Sequence, residues 1–503
     1  MALNSAKNRP APKKQSLKAN ILFNAIYQIL VLVIPFITAP YVSRTLLPSG
    51  VGSYSYAYSY ITYFTAATYC FLDYATVTIA KHRDDKEEYS RIFWEILTCK
   101  LMVCLVTVGI YFGLVLGNVF SSTSYPLNTK MVLMVMSLDI FAVGIDITFL
   151  FQGLEHFVSL CARNLVVKIL NLVGIFVFVR TSQDYGAYVW VMSLSLFLTG
   201  FSTLLAIPKY VAKPKLHRFQ PFHYFKSAFV YFLPYVASIA YTTFSKTILG
   251  VIGADSAQSG YYESAEKLVS IAVTLVNSLN TVMMSRMAYL YQTGNEAEIR
   301  DKTKKVLEVY FLAALPCFFG ILAINPYFTV AFFGQAYEGA IPLVYWLSPR
   351  ILLIPISGIL GSIYYIPSGH LWKRTIFLLS GTVFSLAVSP LMTKYLGSVG
   401  TAATATMTEL LVSSLYFFFA KKTLPLAEVR EPALQSFDAA LLMYVLLYGL
   451  GKVLSGHLGN LWLSVLLVLC GILIYGVTLL LFHEPMVTQY YKKFLGKLVK
   501  HIG

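Results

Sequence analysis

Apolar residues gather in stretches of about twenty along the whole chain, separated by short polar loops. A helix of that length crosses the ~30 Å of hydrocarbon in a bilayer. Strict apolar–polar alternation, the mark of a membrane barrel, is not the pattern here. Backbone groups in lipid must find partners within the protein, so helices are the expected element. The pattern places spans at 19–43, 52–80, 93–116, 130–152, 157–179, 186–207, 228–251, 258–288, 306–330, 341–365, 375–395, 398–420, 437–454 and 460–482. The expected fold class is an all-α polytopic membrane protein of about fourteen transmembrane helices.

The loops alternate in charge. One side collects Lys7, Arg9, Lys13, Lys14 and Lys18; Lys81, Arg83, Lys86 and Arg91; Lys209, Lys213, Lys215, Arg218 and Lys226; Arg300, Lys302, Lys304 and Lys305; Lys373 and Arg374; Lys421, Lys422 and Arg430; and Lys492, Lys493, Lys497 and Lys500. The other side holds Arg44, Lys130, Arg180, Lys394 and Lys452. Basic loops stay in the cytoplasm, so both termini are expected there, and an even number of spans agrees by putting them on one side.

A basic linker divides six spans from eight. Around the second and eighth spans Gly52-Ser-Tyr54-Ser-Tyr56-Ala57 lies over Gly260-Tyr-Tyr262-Glu-Ser-Ala265 at one offset. Each preceding span carries proline (Pro35 and Pro40, then Pro234) and ends with a cation, Arg44 or Lys246. Two pseudo-symmetric six-helix bundles plus two C-terminal helices follow, with the substrate site expected between the halves. The expected organisation is a cytoplasmic N-terminus 1–18, an N-lobe 19–207, a cytoplasmic linker 208–227, a C-lobe 228–420, a cytoplasmic loop 421–436, two further spans in 437–482 and a basic cytoplasmic tail 483–503. In the tail, Tyr491, Phe494, Leu495 and Leu498 share one helical face that enters lipid, unless the tail is disordered.

Composition sharpens this picture. The chain of 503 residues is 57% hydrophobic and 12% charged, about half the charge of a soluble protein. The net charge of +16 is spread over many loops and belongs to no soluble module, so nucleic acid is not the expected partner and anionic lipid is. The first apolar stretch runs on through Pro40 and Arg44, so it reads as a retained span and not a signal peptide. Cys70, Cys99, Cys104, Cys161, Cys317 and Cys470 lie in apolar segments without a C-x-x-C pair and read as buried thiols. Gly50 and Gly52 lack a third glycine, and neither G-x-x-x-x-G-K-[ST] nor H-E-x-x-H occurs. No cofactor, metal or enzymatic chemistry is expected.

An ionisable side chain at bilayer depth costs ~2.5–3.5 kcal/mol or more unless it faces protein or water. Arg163 and Lys168 fall in the fifth span, Lys246 in the seventh, Lys267 in the eighth and Arg350 in the tenth; Lys100, in the third, lies within reach of snorkelling to the cytoplasm. Opposite charges are Asp139 and Asp146 in the fourth span, Glu263 and Glu266 in the eighth, and Glu409 in the twelfth. Asp73 and Glu95 lie near span ends that water reaches. Two readings stand side by side. In the first the charges neutralise one another: Glu263 and Lys267 are four apart on one helix face, and Asp139 and Asp146, seven apart, face Arg163 or Lys168. In the second a wet cavity is lined by Arg44, Lys246, Lys267 and Arg350, with Lys168 and Arg163 as further members. Arginine grips an oxyanion with two parallel bonds and lysine acts as a point charge. Such a cavity suits a phosphate or pyrophosphate.

Tyrosine is the second unusual feature, with 36 residues. At 100° per residue Tyr56, Tyr60 and Tyr63 share one face of the second span. That face stacks sugar rings, or else belongs to an interfacial aromatic belt.

Several stretches resemble the Wzx-type polysaccharide and oligosaccharide flippases of the multidrug, oligosaccharidyl-lipid and polysaccharide exporter superfamily. They are Asn24-Ala-Ile-Tyr27-Gln28, Pro35-Phe-Ile-Thr-Ala-Pro40-Tyr41-Val-Ser-Arg44, Gly50-Val-Gly52-Ser-Tyr54, Ala80-Lys-His-Arg83-Asp84-Asp-Lys-Glu87, Phe151-Gln152-Gly153-Leu-Glu155 and Gly260-Tyr-Tyr262-Glu-Ser-Ala-Glu-Lys267. The resemblance implies a two-lobed bundle with a V-shaped cavity and alternating access in the bacterial cytoplasmic membrane. It implies transfer of undecaprenyl-pyrophosphate-linked oligosaccharide repeat units to the outer leaflet for surface polysaccharide (exopolysaccharide or capsule) synthesis. Polysaccharide polymerase and glycosyltransferases are the implied partners. Arg44, Lys246, Lys267 and Arg350 then hold the phosphates, and Asp139, Asp146 and Glu409 are candidates for ion or proton coupling. Four alternatives remain: a lipid II flippase, a cation-coupled drug exporter, a membrane glycosyltransferase or polymerase, and a non-transporting scaffold for envelope synthesis. The last two spans exceed the common twelve-span plan.

Overall fold

The computed structural model describes residues 17–489 except 121–123, 155, 214–219, 221, 254 and 294. Lys7, Arg9, Lys13, Lys14, Lys215, Arg218, Glu155 and the tail with Tyr491, Phe494, Leu495 and Leu498 lie outside the described residues, as do the side chains of Lys18, Asn24, Tyr27, Gln28, Cys70, Asp73, Lys226 and Pro234.

Among the described residues the regular structure is helical throughout. Helix α1 (Leu17–Lys81) holds the first two spans and breaks at Leu47, with φ 60° and ψ 172°. Pro48 follows, and a residue before proline is pushed out of the helical region. Next come α2 (Lys86–Leu116), α3 (Lys130–Ile145) and the short α4 (Thr148–Gly153). Helices α5 (Phe157–Phe178), α6 (Tyr185–Leu204), the one-turn α7 (Ile207–Tyr210) and α8 (Phe225–Ile252) precede α9 (Ser256–Thr293) and α10 (Glu296–Phe333). A 3-10 turn leads into α11 (Ile341–Leu347), which is followed by α12 (Arg350–Leu360). Helix α13 (Leu371–Ala420) again holds two spans, broken at Gly397 with φ 57°. Helices α14 (Leu426–Leu454) and α15 (Asn460–Leu481) close the order. Eight described helices are long and apolar enough to cross a bilayer, and the pair Gln335–Leu347 and Arg350–Tyr365, bent by 44°, makes nine. Counting α13 as two halves and adding the halves of α1, then α8 and α9, gives the expected fourteen. The protein is an all-α polytopic membrane protein. Residues 421–436, read from the sequence as a loop, are helical from Leu426 onward.

The chain packs as two units, Met1–Gly260 and Tyr261–Gly503. The first includes α8, which the sequence reading assigned to the second lobe. Its cores gather Phe71, Ile79, Phe93, Phe149, Phe151 and Tyr210 around α2, and Ile61, Tyr111, Met136 and Tyr185 around α3. Lipid is as apolar as these side chains, so close fit and dispersion hold the helices together here. Cys99, Cys104 and Cys161 are buried, as expected, while Cys317 and Cys470 are half-buried. The linker is not loose at its described ends. Tyr89 donates to the Tyr210 carbonyl at 2.7 Å, Trp94 to the Ala212 carbonyl at 2.8 Å, and the Ala212 amide to Ser90 at 2.9 Å.

One contact inside the first unit bears on the internal repeat. A Cβ on Gly52 would lie 1.9 Å from the Ser256 carbonyl oxygen, and one on Gly260 would lie 2.0 Å from that of Pro48. Gly52 matches Gly260 and Pro48 matches Ser256 at the same offset, so the contact is reciprocal. The break at Leu47 likewise falls opposite Asp255, in the break between α8 and α9. Only glycine allows backbones to approach so closely at a helix crossing.

In the second unit α14 and α15 pack on α10. Leu315 and Phe319 of α10 meet Ala440, Met443, Leu463 and Leu467, and Tyr475 donates to the Leu312 carbonyl at 3.0 Å. The two spans beyond the twelve-span plan are thus built into this unit's core.

Candidate functional site

In the first unit Arg44 is exposed near the end of the first half of α1. Its segment is pinned by Tyr41, which donates to the Val179 carbonyl at 2.7 Å. Lys246 is half-buried on α8. The next residue, Thr247, bonds to Ser59 at 3.0 Å and to the Tyr63 hydroxyl at 3.2 Å, which fixes this turn of α8 against α1. The three tyrosines expected on one face have different surroundings. Tyr56 is 5% exposed, stacks on Tyr125 at 4.3 Å and bonds to the Tyr60 hydroxyl at 2.9 Å. Its ring fills the space above Gly250, where a Cβ would lie 1.8 Å away. Packing therefore consumes both faces of Tyr56. Tyr60 and Tyr63 keep half-open surfaces.

Arg163 and Lys168 part ways. The Arg163 guanidinium donates to Ser159 at 2.8 Å and lies 4.8 Å from the Phe151 ring. Lys168 is exposed beside Val166, Ile169 and Leu170, which are exposed as well. Such an outward apolar face suits lipid, and a lysine there snorkels. Among the described residues neither Asp139 nor Asp146 forms an ion pair with Arg163 or Lys168. Asp146 sits instead at the break between α3 and α4. Its carboxylate accepts from the Thr148 amide at 2.8 Å and from the Thr148 hydroxyl at 2.5 Å. This is a local Asx-type turn at the helix break. Asp139 is 2% exposed, and one of its carboxylate oxygens has no hydrogen-bond partner.

Two sequence expectations are corrected here. Lys100 does not snorkel: it is 1% exposed, and its ammonium donates to the Asp146 carbonyl at 2.5 Å, in the broken span. The break exposes polar backbone at membrane depth, and the lysine satisfies it. Glu95 is not wet. It is fully buried, bonds to Arg91 at 3.2 Å and accepts from the Gln220 amide at 2.9 Å. The Arg91–Glu95 spacing is local, but the Gln220 amide lies 125 residues along the chain and the Asp146 carbonyl is freed only by a helix break, so neither burial had a sequence signal.

In the second unit the charges meet in pairs. Lys267 is 3.5 Å from Glu263, the pair expected from their spacing. Arg350 is 8% exposed and lies 3.2 Å from Glu266. It is the first residue of α12, just past the bend in the broken span. The four charges sum to zero. Seven residues further along α12, Ser357 donates to the buried Glu409 at 3.4 Å. The arrangement threads polar groups along α12 and lowers the positive charge that Lys267 and Arg350 present. Among the described residues no group of three or more His, Cys, Asp or Glu is placed to hold a metal ion.

Comparison with known proteins adds family and fold. The family model described as "Polysaccharide biosynthesis protein" matches residues 17–290. A "Putative O-antigen transporter" of Escherichia coli (strain K12) is 24% identical over 424 residues, covering 81% of this chain and 97% of that protein. One of the same description from Shigella dysenteriae is 22% identical over 402 residues, covering 79% and 98%. Among solved structures, the lipid II flippase MurJ in an inward closed conformation aligns with TM-score 0.73 and 14% identity, covering 93% of this chain and 100% of that one. An inward-facing multidrug resistance MATE family transporter of the MOP superfamily aligns with TM-score 0.62 and 15% identity, covering 80% and 97%. The family match spans more than half of the chain and agrees with the stretches quoted from the sequence: this chain belongs to the polysaccharide biosynthesis protein family.

Proposed function

We propose that this chain is a flippase that carries lipid-linked oligosaccharide repeat units across the cytoplasmic membrane by alternating access, for surface polysaccharide synthesis. The carrier lipid is undecaprenyl pyrophosphate, both termini lie in the cytoplasm, and the polymerase and glycosyltransferases of the same pathway are the partners. The observation that carries the reading is the near-complete length over which two O-antigen transporters align. The fold shared with a lipid II flippase supports it.

Arg44 and Lys246 are assigned to the pyrophosphate, because their positions are fixed by the Tyr41 and Thr247 bonds and both retain accessible surface. Lys267 and Arg350 are assigned a shared role, in which a phosphate exchanges for Glu263 or Glu266 as their partner. Charge-assisted bonds of both kinds are strong enough for that exchange. Tyr60 and Tyr63 are assigned to the glycan. Asp139 is favoured over Asp146 for ion or proton coupling, since Thr148 already engages one Asp146 carboxylate oxygen while one of Asp139 has no partner. Glu409 is the corresponding candidate in the second unit.

The test is genetic and chemical. Deleting the gene should leave lipid-linked repeat units in the cytoplasmic leaflet and remove the surface polymer. A drug exporter would give neither effect and would confer drug resistance on expression. A scaffold would tolerate loss of Arg44, Lys246, Lys267 and Arg350 together. A glycosyltransferase or polymerase would leave repeat units unfinished or unpolymerised in the outer leaflet.

A further inference from the structure

A cavity of about 570 Å³ opens between α12 and the second half of α13. Leu353 and Ile356 line one wall, and Leu411, Leu415, Phe417 and Phe418 line the other. It contains none of the charges discussed above. Phe417 and Phe418 are exposed, so the cavity opens sideways. Its floor is set by Ser413, which donates to the Leu353 carbonyl at 2.8 Å and holds the two helices at this spacing.

The chemistry changes at one end. The Lys421 ammonium lies 4.2 Å from the Phe418 ring centroid, directly beside the apolar lining. Lys422 is the next residue, and α13 begins with Lys373 and Arg374, two spans earlier and so on the same side. All four are exposed, as is Trp372. The nearest following acid in the chain, Glu428, is engaged by Arg300 at 2.7 Å. The apolar slot thus has a lysine at one end, with further basic residues on the same side.

We propose that this slot binds one anionic phospholipid of the bilayer, with an acyl chain between α12 and α13 and the phosphate at Lys421 and Lys422. A basic pocket between membrane helices recognises lipid headgroups in this way. A volume of about 570 Å³ is small for the long polyprenyl cargo, so a bilayer phospholipid is assigned. The assignment is independent of the flippase reading.

Binding decides it without any transport assay. The purified, delipidated full chain is titrated in detergent with dioleoylphosphatidylglycerol, dioleoylphosphatidylcholine or decaprenyl phosphate, and bound lipid is counted by native mass spectrometry. One phosphatidylglycerol should bind at least fivefold more tightly than phosphatidylcholine. Lys421→Gln with Lys422→Gln should bring the two to equality, a loss of up to roughly thirtyfold for two surface lysines. Ser414→Trp, at an exposed position on the cavity wall, should weaken both lipids by filling the slot. The K421Q/K422Q variant changes only exposed groups, so it serves if S414W folds poorly. Equal binding of the two phospholipids to the wild-type chain overturns the proposal, as does unchanged binding in folded S414W. Tighter decaprenyl phosphate binding that S414W abolishes overturns it in favour of the cargo.

Discussion

Leu47 carries a backbone conformation that only glycine adopts without strain, with φ 60° and ψ 172°. Strain of this kind costs about 1–3 kcal/mol. Leu47 is exposed, so little packing is lost when it is replaced. Leu47→Gly should therefore raise thermal stability in detergent, by roughly 1 kcal/mol after the entropy cost of glycine; a lower unfolding midpoint would show that the strain is absent. Gly250→Ala is the opposite case, since its methyl would enter the Tyr56 ring. Overpacking there should cost about 1–3 kcal/mol, and an unchanged midpoint would mean that α8 moves aside easily. Glu88 offers a pH test. Arg91 bonds to it at 2.5 Å and holds its carboxyl below the usual range. A carboxylate lowered on folding stabilises above its unfolded value, about 4.3, and the benefit is lost as pH falls through the folded value. The hydrogen-exchange protection of the N-terminal amides of α2, relative to their intrinsic rates, should thus fall below pH 4, and Glu88→Gln should flatten that response. Some of these pairings were readable from spacing, as with Glu263 and Lys267. The Arg350–Glu266 pair joins residues 84 apart, and no local pattern announces it.

Helices were legible wherever hydropathy alone decided them, and their breaks were legible only in part. Gly397 announces the break in α13 by its residue type. The break in α1 falls on a leucine, and Pro48 is the only local sign. The break between α3 and α4 depends on Lys100 reaching across from α2, which is a tertiary fact. Helix α10 starts ten residues before its expected span because Asp301–Lys305 and Lys304–Glu308 pairs support it outside the bilayer. The sequence marks the linker as the divide between six spans and eight, and its buried Tyr210 and its bonds to Tyr89, Ser90 and Trp94 tie its first residues to α2. Tyr89→Phe removes one buried hydrogen bond, worth about 1 kcal/mol. Trypsin should then cut the linker near Lys209 and Lys213 several-fold faster than in the wild-type chain. Equal cleavage would mean that the other two bonds suffice.

For the molecule as a transporter, the sequence announced the family and the number of spans, but not which cations are neutralised. Arg350 illustrates the difficulty. Its loss leaves the half-buried Glu266 without that partner, so Arg350→Ala alone confuses folding with transport. Adding Glu266→Gln should restore membrane levels; if transport also returns, Arg350 serves structure only. Lys246 allows a cleaner reading, because Thr247 holds its turn of α8 against α1. Radiolabelled repeat units should therefore be followed by leaflet in cells whose only copy of the gene carries Lys246→Ala at wild-type abundance. Accumulation of lipid-linked units in the cytoplasmic leaflet, with surface polymer down at least tenfold, is the predicted result. Wild-type surface polymer with no accumulation would contradict a basic grip on an anionic lipid carrier.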